Sequence, residues 1–335
     1  MCRSKNKKIF LAACILLAAA VCLSLTMGSY QMTLEEIFAT FFGKGNRLWE
    51  FTIYESRLPR IVLAVIVASA LGISGCILQA VTRNPLAEPG VVGINAGAAL
   101  MVVLWIAAGT KAYYSVLPVS SAMLMPAVAM FGSLLSLAVV CALSYKQGIG
   151  AIRFILCGIG VNAAINAVIS FCQLSMSKGD FNQVLTWTNG SLWGSSWNYI
   201  VLTIPPVLVL GGVAVCRAKV LDVLALGDEL ASGVGLSVHR ERAFFLVLAT
   251  LLAACATAVA GNIAFLALLG PQLAKKLAGN QHKVILPLSA MIASILLMGA
   301  DVIARTLFSP IEIPVGIVVS IVGVPYFIYL MLKGK

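Results

Sequence analysis

The amino-acid sequence predicts an all-α, polytopic membrane protein with about ten transmembrane helices, and three observations carry that prediction. The chain of 335 residues is 61% hydrophobic and only 10% charged, whereas a soluble domain carries roughly 25% charged residues. Its apolar residues fall in uninterrupted runs of helix length, and a hydrocarbon core of about 30 Å needs about 20 residues at 1.5 Å each. The charges gather between the runs, with basic residues divided unequally between alternate connections.

The first run, residues 9–28, follows a basic start of Arg3, Lys5, Lys7 and Lys8. Leu11-Ala12-Ala13-Cys14 looks like a lipoprotein cleavage box, but the apolar run continues well beyond Cys14, so an uncleaved first helix is expected. The second span, 60–82, holds no charge from Ile61 to Val81 and is bracketed by Arg60 and Arg83. Pro59 stands just ahead of it, where a fixed φ suits a first helical turn. Further spans are expected at 91–108, 116–143, 153–175, 199–216, 243–261, 263–279, 284–304 and 315–332. The stretch 263–279 is the shortest and weakest of them. Gly93 with Gly97, and Gly158 with Asn162, stand at the spacing of close helix packing. Trp187, Trp193, Trp197 and Tyr199 crowd the connection before the sixth span and read as an interfacial aromatic belt. The whole of 1–335 reads as a single transmembrane unit.

Ten spans put both termini on one side, and the positive-inside bias makes that side cytoplasmic. The outer connections then keep Lys44, Arg47, Arg57, Arg60, Lys111, Lys178 and Arg305, 7 of the 23 basic residues, and the inner face takes the other 16. Omitting the weak eighth span would throw the C-terminal lysines outside, which argues for keeping it. The net charge of +11 is therefore a property of the inner face rather than a nucleic-acid footprint.

Several chemistries are excluded. The nine cysteines are scattered without a CxxC pair, and the two histidines, His239 and His282, lie in basic turns. No metal is expected, and neither a catalytic Cys/His arrangement nor a clustered His/Asp/Glu or Ser/His set stands out. No GxxxxGK[ST] loop occurs, so ATP used for transport needs a nucleotide site on another subunit.

Four constellations could carry function. Asn162, Asn166, Ser170 and Gln173 are spaced four, four and three apart and share one face of the fifth span. That stripe is either an interhelical hydrogen-bonding seam or the wall of a hydrated path. The connection 217–242 contains LDVLALGDELASGVGL. Asp228 is expected to cap a short helix with Glu229 in its first turn and Gly233 or Gly235 at its end, and Leu224, Leu226, Leu230 and Val234 give an apolar edge. The edge fits a partner's groove or, alternatively, the bilayer surface. Asp301 and Arg305 are placed for an i, i+4 ion pair. Arg57, Arg60 and Arg305 all face outward, against the general bias, which fits either an acidic protein partner or lipid headgroups.

These residues resemble a known family. RLPR at 57–60, QAVTRNPLAEPGVVGINAGA at 79–98, WTNGSL at 187–192, LALGDELASGVGL at 224–236, GNIAFLALLGP at 261–271 and ADVIARTLFSPIEIPVG at 300–316 are similar, in order, to the iron-siderophore and vitamin B12 permease family of ABC importers. The resemblance implies a non-catalytic permease of ten helices in a bacterial cytoplasmic membrane. It implies pairing with a second permease, identical or paralogous, two cytoplasmic ATPases that hold ATP and Mg, and an extracytoplasmic binding protein. By the same resemblance Arg57, Arg60 and Arg305 meet acidic residues of the binding protein. Leu226, Gly227, Asp228, Glu229 and Gly235 fall in the segment that couples to the ATPase, and Asn162, Asn166, Ser170 and Gln173 line the path. No cofactor is expected in the chain itself. Gln272 and Gln281 depart from the His and Asp frequent in relatives, which points to the siderophore branch. Iron(III)-siderophore is the expected cargo, with haem or cobalamin as alternatives. An ion-coupled secondary transporter, the competing class, wants buried acids or broken helices, and the expected spans are almost free of acid apart from Asp301.

Overall fold

The computed structural model describes residues 2–28, 30–109, 124–145, 151–307, 309 and 312–333, and their regular structure is helical. The helices are α1 (Cys2–Thr26), α2 (Leu34–Phe41), α3 (Arg47–Glu50), α4 (Leu58–Thr82), α5 (Ile94–Gly109), α6 (Leu124–Ser144), α7 (Ala151–Leu174) and α8 (Lys178–Thr188). They continue with α9 (Trp197–Cys216), α10 (Ala218–Ala225), α11 (Asp228–Gly233), α12 (Val238–Ala260), α13 (Leu266–Ala278), α14 (His282–Thr306) and α15 (Val315–Lys333). A π-helical turn, Phe51–Arg57, joins α3 to α4.

By length and composition, 7 of these helices can cross a membrane among the described residues, and Ile94–Ala107 and Val315–Tyr329 are shorter apolar helices. Of the expected eighth span, 263–279, only α13 is helical: it has 13 residues and covers about 20 Å at 1.5 Å per residue. Of the expected fourth span, 116–123 lies outside the described residues. The connection 217–242 forms two short helices rather than one, and α2 and α3 were not foreseen.

α4 is the central post. Almost every side chain from Ile61 to Thr82 is buried, because α12, α13, α14, α9 and α1 pack around it. α5, α6 and α7 form a second group against α12, sharing the core of Ala98, Val102, Ala129, Ile169 and Ala258. Gly97 and Gly132 let α5 and α6 touch backbone to backbone, and a Cβ on either would overlap the carbonyl of the other. Leu11, Ile15 and Leu16 of α1, Leu156 and Phe171 of α7, Leu208 and Val209 of α9, and Ile321 and Leu332 of α15 are exposed. Large apolar side chains on the outside of a bundle with an apolar interior mark a surface for lipid or further helices.

Two connections run irregularly beside the helices. α4 ends at Arg83 in the left-handed region, φ 52°, and Pro85 prevents Asn84 from continuing the helix. The chain then climbs past Pro89 and enters α5 at Ile94. α12 ends at Gly261, φ 70°, and five residues without helix lead through Phe265, φ 63°, into α13. Irregular backbone at membrane depth survives only when buried in protein or beside a wet cavity, and these two segments meet each other.

Candidate functional site

The meeting point is a polar cavity of about 500 Å³. Asn162, Asn166, Ser170 and Gln173 from α7 all line it, together with Glu88, Asn95, Thr188, Asn189, Asn262 and Phe265. The helical stripe bonds along its own helix: Asn166 Nδ2 donates to Asn162 O and Oδ1, both at 2.8 Å, and Ser170 Oγ donates to Asn166 O at 2.9 Å. Among the described residues the stripe makes no seam with another helix of this chain, and Asn166 and Ser170 are exposed.

Opposite the stripe, the two irregular segments are laced together. Asn95 Nδ2 donates to Asn262 Oδ1 at 2.8 Å, and Thr257 Oγ1 donates to Asn95 Oδ1 at 3.2 Å. Phe265 N–H donates to Glu88 Oε2 at 3.1 Å. Glu88 is 5% exposed; it lies outside the expected spans, between 60–82 and 91–108, yet is buried among them. Two prolines flanking it in PLAEPG were the available sign of non-helical chain. The acid was overlooked because it stands between spans in the sequence, although the chain folds back among them. Gln272, on the departure from the family pattern, is buried and donates to Gln79 Oε1 at 3.0 Å and Pro85 O at 2.8 Å. It thereby ties α13 to the climbing segment. Gln281 is the N-cap residue of α14 without a side-chain cap bond.

At one end of the bundle, the Arg60 end, three arginines converge. Arg60 pairs with Asp301 at 2.8 Å and Glu312 at 2.9 Å. Arg305 donates to Ser24 O at 2.7 Å and Ser24 Oγ at 2.8 Å, and lies 3.5 Å from Asp301. Arg57 donates to the carbonyls of Leu25 and Tyr30. The arginines expected to face outward for docking are thus also engaged inside the subunit, with Arg57 4% and Arg305 5% exposed. A guanidinium near apolar helices has too high a desolvation cost to remain without carboxylate or carbonyl partners. Trp187, Trp193 and Tyr199 line a cavity of about 970 Å³ with Glu312 at this end, and Trp197 Nε1 donates to Tyr54 O at 2.9 Å.

The opposite, Arg83 end presents α10 and α11. Asp228 does not cap α11 as expected: Gly227, φ 117°, holds the N-cap position. The Asp228 carboxylate instead bridges Arg83 at 3.0 Å and Arg242 at 2.6 Å. Gly235, φ 86°, ends the helix. Leu236 N–H reaches Ala231 O at 3.0 Å and Gly235 N–H reaches Ser232 O at 2.9 Å, the paired bonds of a Schellman stop. Leu224 is buried, whereas Leu226, Leu230 and Val234 are 66%, 62% and 73% exposed. Glu229 is also exposed. The apolar edge therefore projects outward on a small helix whose base is clamped by two ion pairs.

The family model of the FecCD transport family matches residues 16–333. The chain belongs to that family. It is 41% identical over 337 residues to the iron(3+)-hydroxamate import system permease protein FhuG of Bacillus subtilis, covering 98% of each chain. It is 35% identical over 316 residues to the iron-uptake system permease protein FeuC of the same organism, covering 93% of each. A solved structure, described as an inward-facing conformation of a metal-chelate type ABC transporter, matches with TM-score 0.85 and 26% identity, over 98% of this chain and 99% of the other. The FecCD assignment agrees with the resemblance carried by RLPR, LALGDELASGVGL and ADVIARTLFSPIEIPVG.

Proposed function

We propose that this FecCD-family chain is the non-catalytic permease subunit of a binding-protein-dependent ABC importer carrying iron(III)-siderophore complexes into a bacterial cytoplasm. The observation that carries the cargo class is the 41% identity to a hydroxamate import permease over nearly the whole of both chains. The polar cavity beside α7 supports a hydrated path for such a complex. Its amides and hydroxyls give hydrogen bonds without a fixed charge apart from Glu88, which suits a bulky chelate that must be released again.

With both termini and the Arg83 end in the cytoplasm, the exposed row Leu226, Leu230 and Val234 faces two ATPases, which hold the ATP and Mg. Closure of the ATPases pushes α11, and the Asp228 clamp passes that motion to α4 through Arg83 and to α12 through Arg242. The second permease, the same chain or a paralogue, covers the open face of α7 and completes the path. At the Arg60 end, Arg57, Arg60 and Arg305 exceed Asp301 and Glu312 by one positive charge. An acidic lobe of an extracytoplasmic binding protein complements that excess, its carboxylates exchanging for those of Asp301 and Glu312.

The deciding experiment is uptake of radioiron-labelled hydroxamate siderophore into proteoliposomes holding the permease, its ATPase and its binding protein. Uptake should need internal ATP and the binding protein together. Uptake driven by an ion gradient without ATP would overturn the reading in favour of a secondary transporter.

A further inference from the structure

The segment between α1 and α4 turns large apolar side chains to the outside of the bundle at the Arg60 end. Leu34, Phe38 and Phe41 of α2 stand four and three residues apart and so share one face of that helix. All three are exposed, at 57%, 59% and 45%, and Phe42 beside them is 78% exposed. The other edge of α2, Ile37 and Thr40, is buried. Ile37 joins Met32 and Ile53 in a small core of their own, against Leu25, Trp49 and Leu58. A capping box closes the first turn, with Thr33 N–H donating to Glu36 Oε2 at 2.8 Å and Glu36 N–H to Thr33 Oγ1 at 3.3 Å. A helix of 8 residues has little stability of its own, so the cap and the small core hold it. They hold it with its phenylalanines turned away from the protein.

This face is continuous with apolar surface on both sides. Phe41 meets Tyr54 of the π-helical turn edge-on, with ring centroids 6.1 Å apart, and the Tyr54 carbonyl accepts from Trp197 Nε1 at 2.9 Å. Trp197 opens α9 and shares a helical face with Val201 and Leu208, both exposed. On its other side α2 packs on α1, where Leu16 and Leu23, continued by Met27, form a second exposed apolar stripe. Both α1 and α9 are long and apolar enough to cross a bilayer, so these stripes face lipid, and Trp197 with Tyr54 marks the level of the lipid interface. α2 joins one stripe to the other at that level.

A protein partner fits the face less well. Glu35, Glu50 and Glu55 are exposed along the same segment, so a lobe acidic enough to seek Arg57, Arg60 and Arg305 meets like charge here. A second permease is assigned to the open face of α7, whereas α2 packs on α1 and α3.

We propose that α2 is an interfacial membrane anchor, inserting Leu34, Phe38, Phe41 and Phe42 at the boundary between headgroups and acyl chains in the leaflet at the Arg60 end. Aromatic side chains favour that boundary, and an amphipathic helix lying in it buries its apolar face there. From α2 the chain runs through α3 and the π-helical turn to Arg57, which is bonded to the carbonyls of Leu25 and Tyr30. The anchor therefore sets the level of the arginine cluster relative to the lipid surface. The inference is independent of the cargo carried.

The test uses the full permease in phosphatidylcholine nanodiscs with its ATPase and an excess of its binding protein. Benzoylphenylalanine in place of Phe38 or of Phe42 is photoactivated, and mass spectrometry identifies what it has joined. Phospholipid adducts at either position are expected. Their absence from both overturns the proposal, whether the binding protein, a second permease or nothing is captured instead. Where those chains fail to assemble, Phe42→Trp supplies the measurement. Its added fluorescence should fall by at least half when dibrominated phosphatidylcholine replaces the ordinary lipid, and a smaller loss overturns the proposal.

Discussion

The Glu88 carboxylate accepts a hydrogen bond from the backbone N–H of Phe265 at 3.1 Å, joining two irregular segments that are 177 residues apart in sequence. Phe265 sits at φ 63°, a left-handed conformation that costs a residue with a Cβ about 1–2 kcal/mol. The bond fixes that residue at the start of α13 and so sets where the half-length helix begins.

Removing the acceptor should therefore matter more than removing the charge. Glu88→Ala leaves the Phe265 N–H buried without a partner and should cost about 1–3 kcal/mol. Glu88→Gln keeps an acceptor and relieves the burial of an ionised group, so its thermal midpoint in nanodiscs should match or exceed that of the parent. Equal losses in the two variants would show that the bond does not hold the segments.

The buried cluster at the Arg60 end should behave as a coupled unit. Asp301→Leu leaves Arg60 with Glu312 alone and deprives Arg305 of its nearby carboxylate, and breaking a buried ion pair by removing one partner costs about 3–5 kcal/mol. Arg60→Met combined with Asp301→Leu should cost clearly less than the two single changes added together. Denaturation midpoints of the four proteins measure the difference, and strict additivity would contradict the pairing.

The exposed row on α10 and α11 makes the opposite prediction. Leu226→Ser, Leu230→Ser and Val234→Ser together should leave the melting temperature of the isolated permease within about 1 °C, because surface substitutions away from structural features cost within about 0.5 kcal/mol. Co-purification with the ATPase should fall at least tenfold. Retention of the ATPase would remove these residues from the coupling surface.

Accessibility separates the two faces of α7. A cysteine at Asn166 should react with small water-soluble thiol reagents, and one at Ile169, which is 5% exposed, should not. Labelling at Asn166 should drop when the second permease is bound if that subunit closes the cavity, and full labelling in the assembled complex would mean that the stripe stays open to water.

The sequence by itself determined the solvent, the order of the long apolar helices and the position of the polar stripe, because each rests on a local property. An uncharged run of about 20 residues crosses lipid regardless of its neighbours, and spacings of four and three place side chains on one helical face. A helix stop at Gly233 or Gly235 was legible for the same reason, and the structure uses Gly235. The tertiary structure decided what non-local packing controls. Glu88 stands between expected spans in the sequence, and only the folding of the chain from Arg83 to Gly93 back against α13 buries it, while 263–279 read as a weak span until Gly261 and Phe265 set it as a half-helix behind non-helical backbone. Arg57 and Arg305 read as outward charges, yet folding placed the carbonyls of Leu25 and Tyr30 and the Ser24 side chain within their reach. Asp228 had the residue type of a helix cap and became a bridge, because Arg83 and Arg242 arrive from helices that sequence spacing cannot bring together. A buried charge takes the partner that burial supplies, and only the fold determines which partner that is.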